Sequence, residues 1–168
     1  MFFIGIITNQ KNELYFRKEV SKYVPVENII FITAKNIYNV KNVKFETVII
    51  DEKINNKIEI RKIISNSTYL LLNADIEIDR EIMDNLNLTV ITYGFNNKST
   101  FTVSSIEENN MIICLQRVIF NKNGTKIEPQ EYQIEIPQNI DKYAVIAFEI
   151  FKTIYTKNNE ENKKIAKK

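Results

Sequence analysis

The chain predicts an α/β protein in three layers: a mixed sheet with helices on both faces. The sheet should be parallel in its N-terminal half, with an antiparallel C-terminal meander and a closing helix. Three observations carry this. Residues 1 to 95 alternate apolar runs with segments of helical spacing, the signature of parallel βα units. After Gly94 three strand-like segments follow with no helix between them. The described alternation then ends in one broad apolar stripe from Ile140 to Tyr155. Right-handed crossovers leave few topologies for such a chain, and a doubly wound sheet is expected.

The first strand is Phe2–Thr8, apolar without interruption, as in a strand buried on both faces. Phe16, Val20 and Val24 follow at helical spacing, and Pro25 ends that helix. Glu27–Thr33 and Phe45–Asp51 read as the second and third strands, around a polar and weakly periodic stretch with room for a short helix. Ile60, Ile63 and Ile64 share a helical face. "TYLLLNA" is the fourth strand, and "DREIMDNLN" a short helix with Asp79 as its N-cap. "LTVITYG" is the fifth strand. The meander comprises "STFTVSSIE", "NMIICLQRVIF" and "EYQIEIP". In the last of these Tyr132, Ile134 and Ile136 alternate with Gln133 and Glu135, which gives the strand one wet face. Asn123-Gly124 is a hairpin signal. In the closing helix Ile140, Tyr143, Ala144, Ala147, Phe148, Phe151, Ile154 and Tyr155 must pack on the sheet.

Length and composition set bounds. A chain of 168 residues with 44% hydrophobic content reads as one domain, here residues 1–156, with a real core. The other twelve, 157–168, carry five lysines and two glutamates and read as a flexible lysine-rich tail. That tail accounts for +3 of a net +2, so residues 1–156 stand at −1. Such a balance does not draw a phosphate backbone, and no nucleic acid partner is expected. No apolar run approaches the ~20 residues of a membrane span. The opening "MFFIGIITNQKNE" has no basic leader and reads as a strand rather than a signal peptide. One cysteine, Cys114, rules out an internal disulfide and suits a reducing cytoplasm.

Much chemistry is excluded outright. Without histidine there is no imidazole base, Ser-His or Cys-His pair, or imidazole metal site. Gly5, Gly94 and Gly124 are too scattered for a phosphate-binding glycine loop, and "TNQKNE" after the first strand has no glycine. No cofactor is expected. What remains is polar residues at the strand C-termini, the edge where open α/β sheets bind ligands. The candidate ligand-binding set is Thr8, Asn9, Asp51, Asn73, Thr92 and Gly94, with Thr33, Glu52 and Asp75 nearby in the pattern. Asp51 ends the third strand like the phosphoacceptor of a receiver domain. The acidic pair and the lysine that such a domain needs are replaced by Thr8-Asn9 and Tyr93-Gly94. Cys114 reads as a buried packing thiol. Arg117, among apolar neighbours, has Glu128 or Glu131 as possible partners, or marks an interface.

The run "VITYG", a short polar turn, and "TVSSIEE" resemble the late part of the central domain of the Mur ligases, which add amino acids to peptidoglycan precursors. In that family a strand ending in Tyr/Phe-Gly leads into antiparallel strands and then a helix rich in small apolar residues. Here Tyr93-Gly94, the meander and "NIDKYAVIAFEIF" follow in that order, over about residues 68 to 155. The family's glycine-rich, lysine-containing ATP loop has no counterpart after the first strand. Asn139-Ile140 stands where the last helix of the family opens with His-Asn, and the family's C-terminal domain is expected to be lacking. The resemblance implies a Mur-like scaffold without ATP-dependent ligation, with Gly94 serving backbone geometry at a strand exit. The expected function is a non-catalytic cytoplasmic module that binds a protein or small ligand, in cell-envelope or cell-division work of a Gram-positive bacterium. Two alternatives stand beside it. One is a carboxylate-based magnesium enzyme or a degenerate receiver-like domain, using Asp51, Glu52 or Asp75. The other is a self-associating structural protein, with a homodimer formed through the last helix and the meander's outer face.

Overall fold

The computed structural model describes residues 2–157. The lysine-rich tail therefore lies outside the described residues except for Lys157. The element order is β1 (Phe3–Ile7), α1 (Gln10–Val20), β2 (Ile29–Phe31), α2 (Ile37–Val40), β3 (Phe45–Ile50), α3 (Lys57–Ser65) and β4 (Tyr69–Asn73). A 3-10 turn (Arg80–Met83) and β5 (Thr89–Gly94) complete the parallel half. Then come β6 (Phe101–Ile106), β7 (Asn110–Leu115), β8 (Ile119–Phe120), β9 (Lys126–Ile127), β10 (Gln130–Glu135) and α4 (Lys142–Tyr155).

Eight strands form one sheet in the order β10-β7-β6-β5-β4-β3-β1-β2. Strands β1 to β6 pair parallel, and β6-β7-β10 pair antiparallel. The expected mixed α/β sheet and closing helix are thus present. The order 2-1-3-4-5 is a doubly wound one, whose winding reverses between β1 and β3.

Two apolar layers sandwich the sheet. Phe16 and Val20 of α1 and nine residues of α4 pack on Ile4, Ile6, Ile49 and Ile91 on one face. Ile37 and Val40 of α2, Ile60, Ile63 and Ile64 of α3 and Ile82 of the 3-10 turn cover Ile7, Val48, Ile50 and Leu72 on the other. α4 is so apolar that Ala144, Ile146, Ala147, Ile150, Phe151 and Ile154 are all fully buried. That burial leaves little of the last helix exposed. Its C-terminal end is pinned by Tyr155, whose hydroxyl meets Thr47 Oγ1 at 2.8 Å and donates to Glu46 Oε2 at 2.7 Å.

The local structure adds one feature and corrects three expectations. β5 and β6 are parallel neighbours joined by a loop of only six residues, too short for an ordinary crossover. The pairing is staggered: only Tyr93↔Phe101 and Gly94↔Thr102 are in register, so β6 starts where β5 ends and carries the meander outward. The stretch Asn110–Phe120 is two strands rather than one, and β8 pairs with β9 in a separate two-stranded sheet. The break falls where Gln116 Nε2 donates to Asn97 O (2.8 Å) and Ser99 O (2.9 Å), and Arg117 Nη2 to Lys98 O (2.7 Å). Arg117 thus braces the β5–β6 loop and pairs with neither Glu128 nor Glu131. Cys114 is not a core thiol. It is half-exposed on the outer face of β7 and donates to Glu131 Oε1 at 3.3 Å on the neighbouring strand.

Candidate functional site

The C-terminal ends of β1, β3, β4 and β5 meet at the point where the winding reverses, and most of the sequence candidates gather there. Asp51 follows β3 and is only 7% exposed. Its Oδ2 accepts from Thr8 Oγ1 at 2.9 Å, and its Oδ1 accepts from Tyr93 OH at 2.9 Å. Asn73 closes the third side. Its Nδ2 donates to Asp51 O at 3.1 Å, while its Oδ1 accepts from Asp75 N at 3.0 Å in an Asx turn. Burial pushes the Asp51 carboxyl up to about 6. The hydrogen bonds from Tyr93 and Thr8 pull it the other way, and the charges of Asp141 and Glu52 raise it further. The Tyr93 hydroxyl, fully buried beside that carboxyl, is held well above its ordinary range and stays a donor.

Asn9 caps α1: its Oδ1 accepts from Asn12 N at 3.1 Å. Its Nδ2 turns to Asp141 Oδ2 at 3.0 Å, where Asn12 Nδ2 also donates at 2.9 Å. Lys11 Nζ binds the other oxygen, Oδ1, at 3.1 Å. Asp141 is the N-cap residue of α4, yet its carboxylate makes no capping bond to its own helix. It sits on the first turn of α1 instead, and these donors, led by Asn9 and Asn12, hold it below the usual carboxylate range. An internal carboxylate therefore lies against the side chains of the first turn of α1, beside the helix N-terminus that Asn9 caps.

Gly94 shows both features expected of it. Its φ is +153°, and a β-carbon there would stand 2.5 Å from Asp75 Oδ2. The close approach lets Asp75 Oδ2 accept from Phe95 N at 2.6 Å and from Tyr143 OH at 2.9 Å. Phe95 and Tyr143 also meet edge to face, with ring centroids 5.3 Å apart. Burial and the neighbouring Asp75 push the Tyr143 hydroxyl up to about 12.

Thr92 does not join this group. Adjacent strand residues point to opposite faces, so Thr92 turns away from Tyr93. Its hydroxyl accepts from Thr100 N at 2.9 Å and knits the staggered β5–β6 junction. Thr8, Asn9, Asp51 and Asn73 are thus brought together, Gly94 adjoins them through Asp75, and Thr92 lies behind the sheet. Sequence reading missed the site roles of Tyr93, Asn12, Asp141 and Tyr143. The first was absorbed into the Tyr-Gly strand ending, and the last into the apolar stripe. For Asp141 a signal existed, an aspartate just before a long apolar helix, but nothing local pointed it toward α1.

Above these residues lies an open groove of about 590 Å³, bordered by Asn9, Asp51, Asn73, Phe95, Asp141 and Tyr143. Of the carboxylates that line it, Asp51 and Asp141 sit on separate supports, and Glu52 is exposed without a hydrogen-bond or ion-pair partner among the described residues. Among the described residues no group of three or more Asp, Glu or Cys side chains is placed to hold a metal ion. No described helix is long and apolar enough to cross a membrane. The chain matches no protein-family model and no curated protein sequence.

Proposed function

We propose that this chain is a non-catalytic binding module, taking a small ligand or a protein segment in the groove at the strand C-termini. The observation that carries the reading is the separate tethering of Asp51, Asp75 and Asp141 at these strand ends, with only the exposed Glu52 left untethered on the groove wall. Asp51 is held by Thr8 and Tyr93, Asp75 by Phe95 and Tyr143, and Asp141 by Asn9, Asn12 and Lys11. Such an arrangement presents fixed acceptors and aromatic edges to a partner rather than a free acid and base at one reacting atom. The resemblance of Tyr93-Gly94, the meander and α4 to the Mur ligase central domain extends the proposal to cell-envelope or cell-division work in a Gram-positive cytoplasm. The carboxylate of Asp141 on the first turn of α1 supports a scaffold that does not hold ATP as those ligases do.

A thermal-shift screen with UDP-sugars, nucleotides and divalent ions tests this, followed by Lys142→Ala and Phe95→Ala at the groove rim. A rise in Tm with a UDP-sugar, lost in the rim variants, supports the reading. A rise with ATP overturns it. A second reading, carboxylate chemistry at Asp51, is favoured by one observation, a carboxyl pushed up to about 6 beside an open groove. Turnover that follows a group ionising near that pH, and that vanishes in Asp51→Asn, would favour the second reading over the first.

A further inference from the structure

We infer that a second cavity, behind the sheet from the Asp51 groove, binds a small molecule that carries a phosphate group. The cavity holds about 380 Å³ between the end of β4, the 3-10 turn and the β5–β6 loop. Arg80, Lys98 and Arg117 all line it. Its one lining carboxylate, Glu77, is drawn to Lys53 at 3.0 Å. Among the described residues the side chains of Arg80 and Lys98 have no hydrogen-bond or ion-pair partner, and Arg117 uses only Nη2, on Lys98 O. Three cations around one concavity repel each other unless a counter-charge joins them.

A phosphate monoester supplies that counter-charge. It carries a charge of about −1.5 to −2 and three acceptor oxygens at neutral pH, suited to arginine forks. Leu72, Ile76, Ile78 and Met83 supply an apolar wall for the body of the ligand, so the fit is to an organic phosphate rather than to the bare ion. The shape of the loop is prepared in advance: Asn96 Oδ1 accepts from Lys98 N at 2.9 Å, and Gln116 and Arg117 brace the carbonyls of residues 97 to 99.

The test is an NMR titration of the full ¹⁵N-labelled chain at low salt with phenyl phosphate, inorganic phosphate and benzoate. Saturable shifts at the amides of residues 96–99 and 117 are expected with phenyl phosphate. Arg80→Gln and Lys98→Gln, whose side chains hold nothing else, should each weaken that binding roughly tenfold or more. Absence of saturation, or equal affinity in wild type and both charge variants, overturns the site. Benzoate binding as tightly as phenyl phosphate overturns the phosphate assignment, and inorganic phosphate binding as tightly overturns the organic ligand.

Discussion

Replacing Asp51 by asparagine gives the sharpest test of the electrostatics at the strand ends. In the folded chain this carboxyl ionises at about 6 rather than at its ordinary 3.8. Lifting a carboxyl that far corresponds to about 3 kcal/mol. Between those two values the folded chain holds a proton that the unfolded chain has released. Stability therefore falls as pH rises from about 4 to about 6, and levels off above. Asparagine mimics the protonated acid. Its carbonyl can accept from Tyr93, and its amide can donate to the Thr8 oxygen. The stability of the variant relative to wild type should thus grow by about 2–3 kcal/mol between pH 4 and pH 7.5. In a chain of this size that is about 4–12 °C in Tm. Urea titrations followed by circular dichroism at half-unit pH steps would measure it for both proteins. A residual slope of the same sign should survive in the variant, because burial also raises the Glu149 carboxyl. Asp141, held low by Asn9, Asn12 and Lys11, acts with the opposite sign at lower pH. Parallel curves for wild type and Asp51→Asn would show that Asp51 does not carry the raised ionisation, and the account of the site would fail.

Three further outcomes follow from the same geometry. Gly94→Ala should cost about 1–3 kcal/mol from backbone strain alone, and more from the approach to Asp75, in chemical denaturation; wild-type stability would refute the reading of this strand exit. Tyr93→Phe removes a donor that pulls Asp51 down, so the Asp51 carboxyl should ionise above 6 by ¹³C NMR, with a loss of about 1–2 kcal/mol at neutral pH. Burial first, and then Glu131, raises the Cys114 thiol, so alkylation at pH 8 should be slower than for a free thiol. Glu131→Gln should speed it several-fold, and an unchanged rate would remove Glu131 from the account.

The sequence by itself determined the alternation of strands and helices, the change to antiparallel pairing after Gly94, and the apolar closing helix. Hydrophobic period reports which face of an element must leave water, and that is a local property. It also placed Asp51, Asn73 and Gly94 at strand ends, because a strand ends where polarity begins. Only the tertiary structure decided what those ends do. Tyr93 reaches Asp51 across 42 residues of chain, and Asp141 reaches Asn12 across 129, because the order β5-β4-β3-β1 and the return of α4 bring these ends together. The stagger that ties Thr92 to Thr100, and the loop that gathered Lys98, Ser99 and Arg117, depend on strand register. Hydrogen bonds and charge acquire their strength from the burial that such packing creates. No local pattern of residues encodes that burial.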